Sequence, residues 1–209
     1  MPKDMLKFMS WGFKFEKYVL SDAPDVAPNA LQPVNEAEEF CCMFRRRFGD
    51  HTVLYGAEMD GVTSETKLAD PLPLKDIKFV EVKTSKAIEH AGQDRNFRKF
   101  KLLKWWSQSF LVGIESVLCG FRDDKGIVRD LKNYSLPEIV DMSKTYWNRS
   151  TSINFCQAFL SHVSKTVVHD CDKIIYKFER IPFEDIVTTE LSPTSKYAFM
   201  PSSFMEETG

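Results

Sequence analysis

A chain of 209 residues is long enough for one domain with a substantial core, and a single active-site domain is the simplest expectation. Its 43% hydrophobic and 13% aromatic content excludes wholesale disorder, while 28% charged residues and no apolar run of about 18 argue against a membrane protein. With 28 basic and 30 acidic residues the formal charge is −2, which provides no bulk attraction to nucleic acid but permits a local basic lining beside a metal-neutralised acidic centre.

In chain order, the opening MPKDMLKFMSWGFKFEKYVL is too interrupted for a secretory signal, and Trp11 to Leu20 reads as a short helix striped by Trp11, Phe15 and Tyr18, with Glu16 close by. The proline-punctuated stretch that follows re-enters helix around Asn35. Val53 to Asp60 has strand character, and the two-residue period puts Glu58 and Asp60 on one face. Gly61 through Asp76 suits a loop, and Ile77 to Lys83 a second strand with Glu81 and Lys83 sharing a face. Phe97 through Val112 is the strongest helix, with Leu102, Leu103, Trp106 and Phe110 buried and Lys101, Lys104 and Gln108 along another edge. Val117–Phe121 and Gly126–Leu131 form a hairpin, Ser152 to Lys165 a helix, and Lys173 to Phe178 a strand. This order fits an α/β or α+β core better than a helix bundle.

Asp60 followed by Glu81-Val82-Lys83 carries the chemistry. Two carboxylates offer hard oxygen ligands to Mg²⁺ or Mn²⁺, and the ammonium can hold water or stabilise charge on a phosphate. Glu16 and Glu58 are further ligands or water-positioning groups, enough for one ion or two. Spacing alone leaves both a metal nuclease site and ordinary surface electrostatics open. Gln108 is either a water- or phosphate-orienting amide or an exposed helix residue. Lys101 and Lys104 can contact phosphates, as can the Arg45-Arg46-Arg47 cluster and Arg122, though each suits a solvated face or a turn ion pair as well. The five cysteines and four histidines show no zinc spacing, so the thiols read as reduced and structural in a cytosolic or nuclear protein. No serine triad or nucleotide-binding glycine loop is present.

Taken together, Gly12-Phe13-Lys14-Phe15-Glu16, Glu58-Met59-Asp60, Glu81-Val82-Lys83 and the run from Lys101 to Leu111 closely resemble the decapping and 5′–3′ exoribonuclease family. Gly120-Phe121-Arg122-Asp123 and Asn154 to Leu160 extend the likeness, which runs from about Trp11 to Pro201. The resemblance implies an α+β fold, a mixed β-sheet nuclease core flanked by helices, of the Asp…(Asp/Glu)-X-Lys architecture. It implies that Glu16, Glu58, Asp60, Glu81 and the Val82 carbonyl bind metal, and that Lys83 and Gln108 complete the catalytic pocket. Substrate contacts would come from Glu58, Lys83, Lys101, Lys104 and Gln108.

The expected function is removal of aberrant caps or pyrophosphate from RNA 5′ ends, with 5′–3′ exoribonuclease activity in some members. The resemblance also implies work in the nucleus or cytoplasm and a nuclear exoribonuclease as partner. Family members carry an additional N-terminal portion with a pocket arginine, so residues 1–209 read as a single catalytic core lacking that portion. A catalytically weak RNA- or partner-binding derivative is the main alternative, and DNA cleavage a third, since the acid–lysine chemistry does not itself recognise ribose.

Overall fold

The computed structural model describes residues 3–69, 72 and 77–201, which divide into two compact units, Met1–Ser152 and Ile153–Gly209. The first contains α1 (Lys3–Val19), the strands β1 (Cys41–Phe48), β2 (His51–Glu58), β3 (Gly61–Thr63) and β4 (Lys78–Lys86), and the helices α2 (Ala91–Asn96) and α3 (Leu102–Val112). It continues through β5 (Ser116–Arg122), β6 (Val128–Ser135) and α4 (Leu136–Ser143); α5 (Arg149–Thr166) begins there and runs into the second unit. That second unit holds an antiparallel pair, β7 (Ile175–Arg180) and β8 (Ile186–Leu191), where the Phe178 ring meets Phe159 and His162 edge-on. Among the described residues, no helix is long and apolar enough to cross a membrane.

The central sheet has the order β3-β4-β5-β6 and is mixed: β4 and β5 are parallel, and the outer pairs antiparallel. Parallel neighbours need a crossover, here the continuous helical segment α2–α3 with a π turn at Phe97–Lys101 between its halves. The expected α+β class and mixed sheet are therefore present. β1 and β2 form a separate antiparallel hairpin that β-branched and aromatic residues favour, although only its second strand was expected.

Three expectations need correction. The helix around Asn35 does not form: Asn35 Oδ1 accepts the Ala37 N–H and its carbonyl accepts that of Glu38, so an Asx turn takes the backbone groups a helix would need. Gly61 does not open a loop but starts β3, because Val62 and Thr63 pair with Phe79 and Lys78; in the remainder of that expected loop, residues 70, 71 and 73–76 lie outside the described residues. The opening helix begins well before Trp11, at Lys3.

The core lies between the sheet and α2–α3. Phe97 packs edge-on to Trp105 at 5.3 Å and near Phe121 and Tyr134, beside the fully buried Leu102 and Ile139. Trp105 and Trp106 are both buried in this core. On the other face of the sheet α1 settles over β5 because Gly120 has no side chain: a Cβ there would sit 2.6 Å from Cζ of Phe15. Gly126, with φ +88, turns the chain between β5 and β6 where any side chain would collide with the Trp11 ring. Arg122 is buried against the rings of Phe8 and Trp11, at 4.6 and 4.5 Å, so it serves as a packing cation between helix and sheet.

Candidate active site

The site forms where β3 leaves β4. Gly61 pairs with Val80, so the residue before β3, Asp60, falls opposite Glu81 just beyond the last ladder pair. There the Val82 N–H has no strand partner on that side, and Asp60 Oδ2 accepts it at 2.7 Å. The same oxygen lies 3.4 Å from Lys83 Nζ, which in turn sits 2.5 Å from Glu81 Oε1. Glu81 and Lys83 share a face of β4, as the two-residue period predicts, and Glu81 is only 6% exposed.

Met59 is buried, with its N–H donated to the Phe40 carbonyl at 2.9 Å, so the chain stays extended from β2 through Asp60. That keeps Glu58 and Asp60 on one side of the buried methionine. Glu16 arrives from α1, set by the seating of its neighbour Phe15 on Gly120. Glu16, Glu58, Met59, Asp60 and Val82 line a cleft of about 1250 Å³ in the first unit.

The electrostatics show how closely these groups are gathered. Burial and the Asp60 charge push the Glu16 carboxyl up to about 7, with smaller contributions from Glu58 and Glu81 against the pull of Lys83. Burial, then Glu39 and Asp60, raise Glu58; burial also raises Glu81, partly offset by Lys83. Burial works against the Lys83 ammonium, but Asp60 and Glu81 outweigh it and hold the group above the ordinary lysine value. Four carboxyl groups thus crowd one lysine.

Among the described residues no three His, Cys, Asp or Glu side chains converge as a ready metal cage, because Lys83 stands between Asp60 and Glu81. The donors nevertheless fit a hard divalent cation in chemistry: all are carboxylate oxygens, and their mutual repulsion is a penalty that an added positive charge would remove. Glu16, Glu58, Asp60, Glu81 and Lys83 are therefore brought together as the sequence suggested.

The helix edge is less uniform. Lys101 reaches the sheet, donating to Ser85 Oγ at 2.9 Å, and burial lowers the pKa of its ammonium. Lys104 and Gln108 are exposed. Because α3 returns between parallel strands, it runs opposite to β4. Gln108 lies seven residues beyond Lys101 on this returning helix and does not line the acid cleft.

The sequence reasoning missed β1 and what its Arg46 does. Arg46 Nη1 donates to the carbonyls of Phe110 and Leu111 at 2.8 and 2.9 Å, and the Tyr55 hydroxyl donates to Leu111 at 2.5 Å. The hairpin thereby satisfies the open carbonyls at the end of α3 and holds the Gln108-bearing helix. An arginine between Phe44 and Phe48 in an alternating run was the available signal.

Residues 1–205 match the family of RAI1-like PD-(D/E)XK nucleases. The decapping and exoribonuclease protein of Rattus norvegicus is 37% identical over 208 residues, which cover 98% of this chain and 51% of the relative. Rai1 of Scheffersomyces stipitis, solved with 3′-NADP and a calcium ion, is 26% identical with a TM-score of 0.73, over 92% of this chain and 53% of that one. Candida albicans Rai1, solved with pU5 and Mn²⁺, shares the fold at a TM-score of 0.75 and 21% identity, over 97% of this chain and 58% of that one. The chain spans about half the length of the curated relatives it matches. With the acid–lysine centre at the edge of a mixed sheet and a match over almost every residue, the chain belongs to the RAI1-like PD-(D/E)XK nuclease family.

Proposed function

We propose that this chain is a metal-dependent hydrolase of RNA 5′ ends, removing pyrophosphate or an aberrant cap, with 5′–3′ exonucleolysis as a further activity. The observation that carries this reading is the gathering of Glu16, Glu58, Asp60 and Glu81 around Lys83, with Glu16, Glu58 and Asp60 lining the cleft. The calcium ion and 3′-NADP bound by the S. stipitis relative support a divalent cation and a phosphate-bearing ligand. Glu16, Glu58, Asp60, Glu81 and the Val82 carbonyl would hold one or two Mg²⁺ or Mn²⁺ ions. A bound ion would make water acidic enough to attack phosphorus near neutral pH and would offset phosphate charge.

The protein's own groups do the rest. Lys83, charged at neutral pH, donates to a phosphate oxygen, and the Gln108 amide orients water or phosphate. Lys104 adds positive charge at the helix edge, and Lys101 supports the β4 face through Ser85. On a triphosphate end, water oxygen bonds to the α-phosphorus, the α–β bridging bond breaks, and pyrophosphate leaves a 5′-monophosphate. By family resemblance the setting is the nucleus or cytoplasm, with an exoribonuclease as protein partner.

Lys83 standing between Asp60 and Glu81 favours a second reading, a weak or inactive RNA-binding derivative. Purified chain incubated with 5′-triphosphate, capped and 5′-monophosphate RNAs, and matched DNA, plus Mg²⁺ or Mn²⁺ separates the two. Product from a 5′-modified RNA supports hydrolysis; RNA binding without product on any substrate supports the derivative.

A further inference from the structure

The three consecutive arginines of β1 do different things. Cross-strand register pairs Cys41 with Glu58, Met43 with Gly56, Arg45 with Leu54 and Arg47 with Thr52, and these eight residues are exposed. Arg46 alternates to the opposite face and binds the end of α3. Arg45 and Arg47 are left two residues apart on the open face. Among the described residues neither has a carboxylate partner, and the Arg47 Nε donates to the Gly49 carbonyl at 3.1 Å. Met43, 68% exposed, lies between them and the acid cleft, and Leu54, 69% exposed, lies across the ladder from Arg45.

We propose that this face of the hairpin is a track for the RNA strand beyond its reacting 5′ end, with Arg45 and Arg47 on phosphates and Met43 and Leu54 against bases and sugars. The proposal rests on the RNA reading above and adds a second binding surface to it. Three observations favour this occupant. The face is continuous with the cleft through Glu58, which belongs to both. Charge changes along it from the acids at Glu58 and Glu39 to two uncompensated guanidinium groups, as a substrate with its scissile end at the acids and its polyanionic backbone trailing away would require. The spacing suits a repeating polymer: six residues from Cys41 to Arg47 cover ~20 Å, about six stacked nucleotides at ~3.4 Å each.

The test is binding of fluorescent 5′-monophosphorylated oligouridines, from one to roughly ten nucleotides, to the full chain in chelator across a salt series. Wild type should bind the long oligomer more tightly than the mononucleotide, with a steeper salt dependence. Arg45→Ser/Arg47→Ser should reduce the log–log salt slope for the long oligomer by about 1.4, at ~0.7 per lost single-strand phosphate contact, and leave mononucleotide binding unchanged. Arg45→Lys/Arg47→Lys should keep the slope. Wild type binding the mononucleotide as tightly as the long oligomer would overturn the track without any variant, and so would an unchanged slope in the serine pair or a lost slope in the lysine pair. Because nothing is cleaved in chelator, length- and arginine-dependent binding by a chain that hydrolyses nothing would sink the catalytic proposal and leave the track standing. Hydrolysis indifferent to RNA length and to both arginines would do the reverse.

Discussion

Replacing Glu16 by glutamine should make the metal-free protein more stable at alkaline pH while weakening its response to divalent ions. In the folded chain the Glu16 carboxyl titrates at about 7 rather than its ordinary 4.5, because burial and Asp60 disfavour the charged form. Folding therefore retains a proton that the unfolded chain releases, and stability falls as pH rises between those values. The penalty is absent below about 4.5, grows through the window, and is complete above about 7. Fully transmitted, a shift from 4.5 to about 7 corresponds to about 3.4 kcal/mol. Glu16 is only partly buried, and solvent screening reduces the expected effect to about 1–2 kcal/mol. Urea denaturation in chelator at pH 5 and 8.5 measures this as a difference of differences, so groups that titrate alike in both proteins cancel. Glu16→Gln should exceed wild type by about 1–2 kcal/mol at pH 8.5 and by much less at pH 5; added Mn²⁺ should raise wild type more than the variant. A variant less stable than wild type at pH 8.5, or an advantage independent of pH, would refute the electrostatic account of the cleft.

Other consequences are as direct. Lys83→Met strips the cation from Glu81, whose carboxyl burial already pushes up, and should destabilise by about 2–4 kcal/mol at pH 8, as followed by urea denaturation. Gly120→Ala drives a methyl into the Phe15 ring and should cost about 1–3 kcal/mol; because the same contact seats Glu16, Mn²⁺ affinity measured on the folded variant should fall as well. Leu102→Ala, at a side chain with no exposure, should cost about 2–5 kcal/mol in urea denaturation without changing the pH dependence assigned to Glu16.

The sequence made the alternation around Glu58–Asp60 and Glu81–Lys83 visible because both segments are extended with a two-residue period, and the structure brings Asp60 to Lys83. It also exposed the α2–α3 helix through its dense apolar stripe, although the buried set is Leu102, Trp105, Trp106 and Ser109, rotated from the expected one. The π turn at Phe97–Lys101 shifts the helix phase just before that stripe, which a uniform period cannot anticipate. Local signals for α4 were present: Ser135 caps the Glu138 N–H, and a proline sits in the first turn. The cap of α2 was harder to read because His90 provides it in place of the usual hydroxyl or carboxylate. What remained illegible was tertiary: that Gly120 exists to admit Phe15, that Arg122 stacks on Phe8 and Trp11, and that Arg46 faces away from its two neighbours. Each depends on which elements meet, and nothing in local periodicity states that.

The most direct test of the central claim is the release of pyrophosphate from 5′-triphosphorylated RNA by wild type and Glu81→Gln in Mn²⁺, with folding of both checked by circular dichroism. The acid cluster as the hydrolytic centre predicts product from wild type and a loss of at least about a hundredfold in the variant, on the scale at which single charge-stabilising groups act. Equal rates from two folded proteins would contradict it.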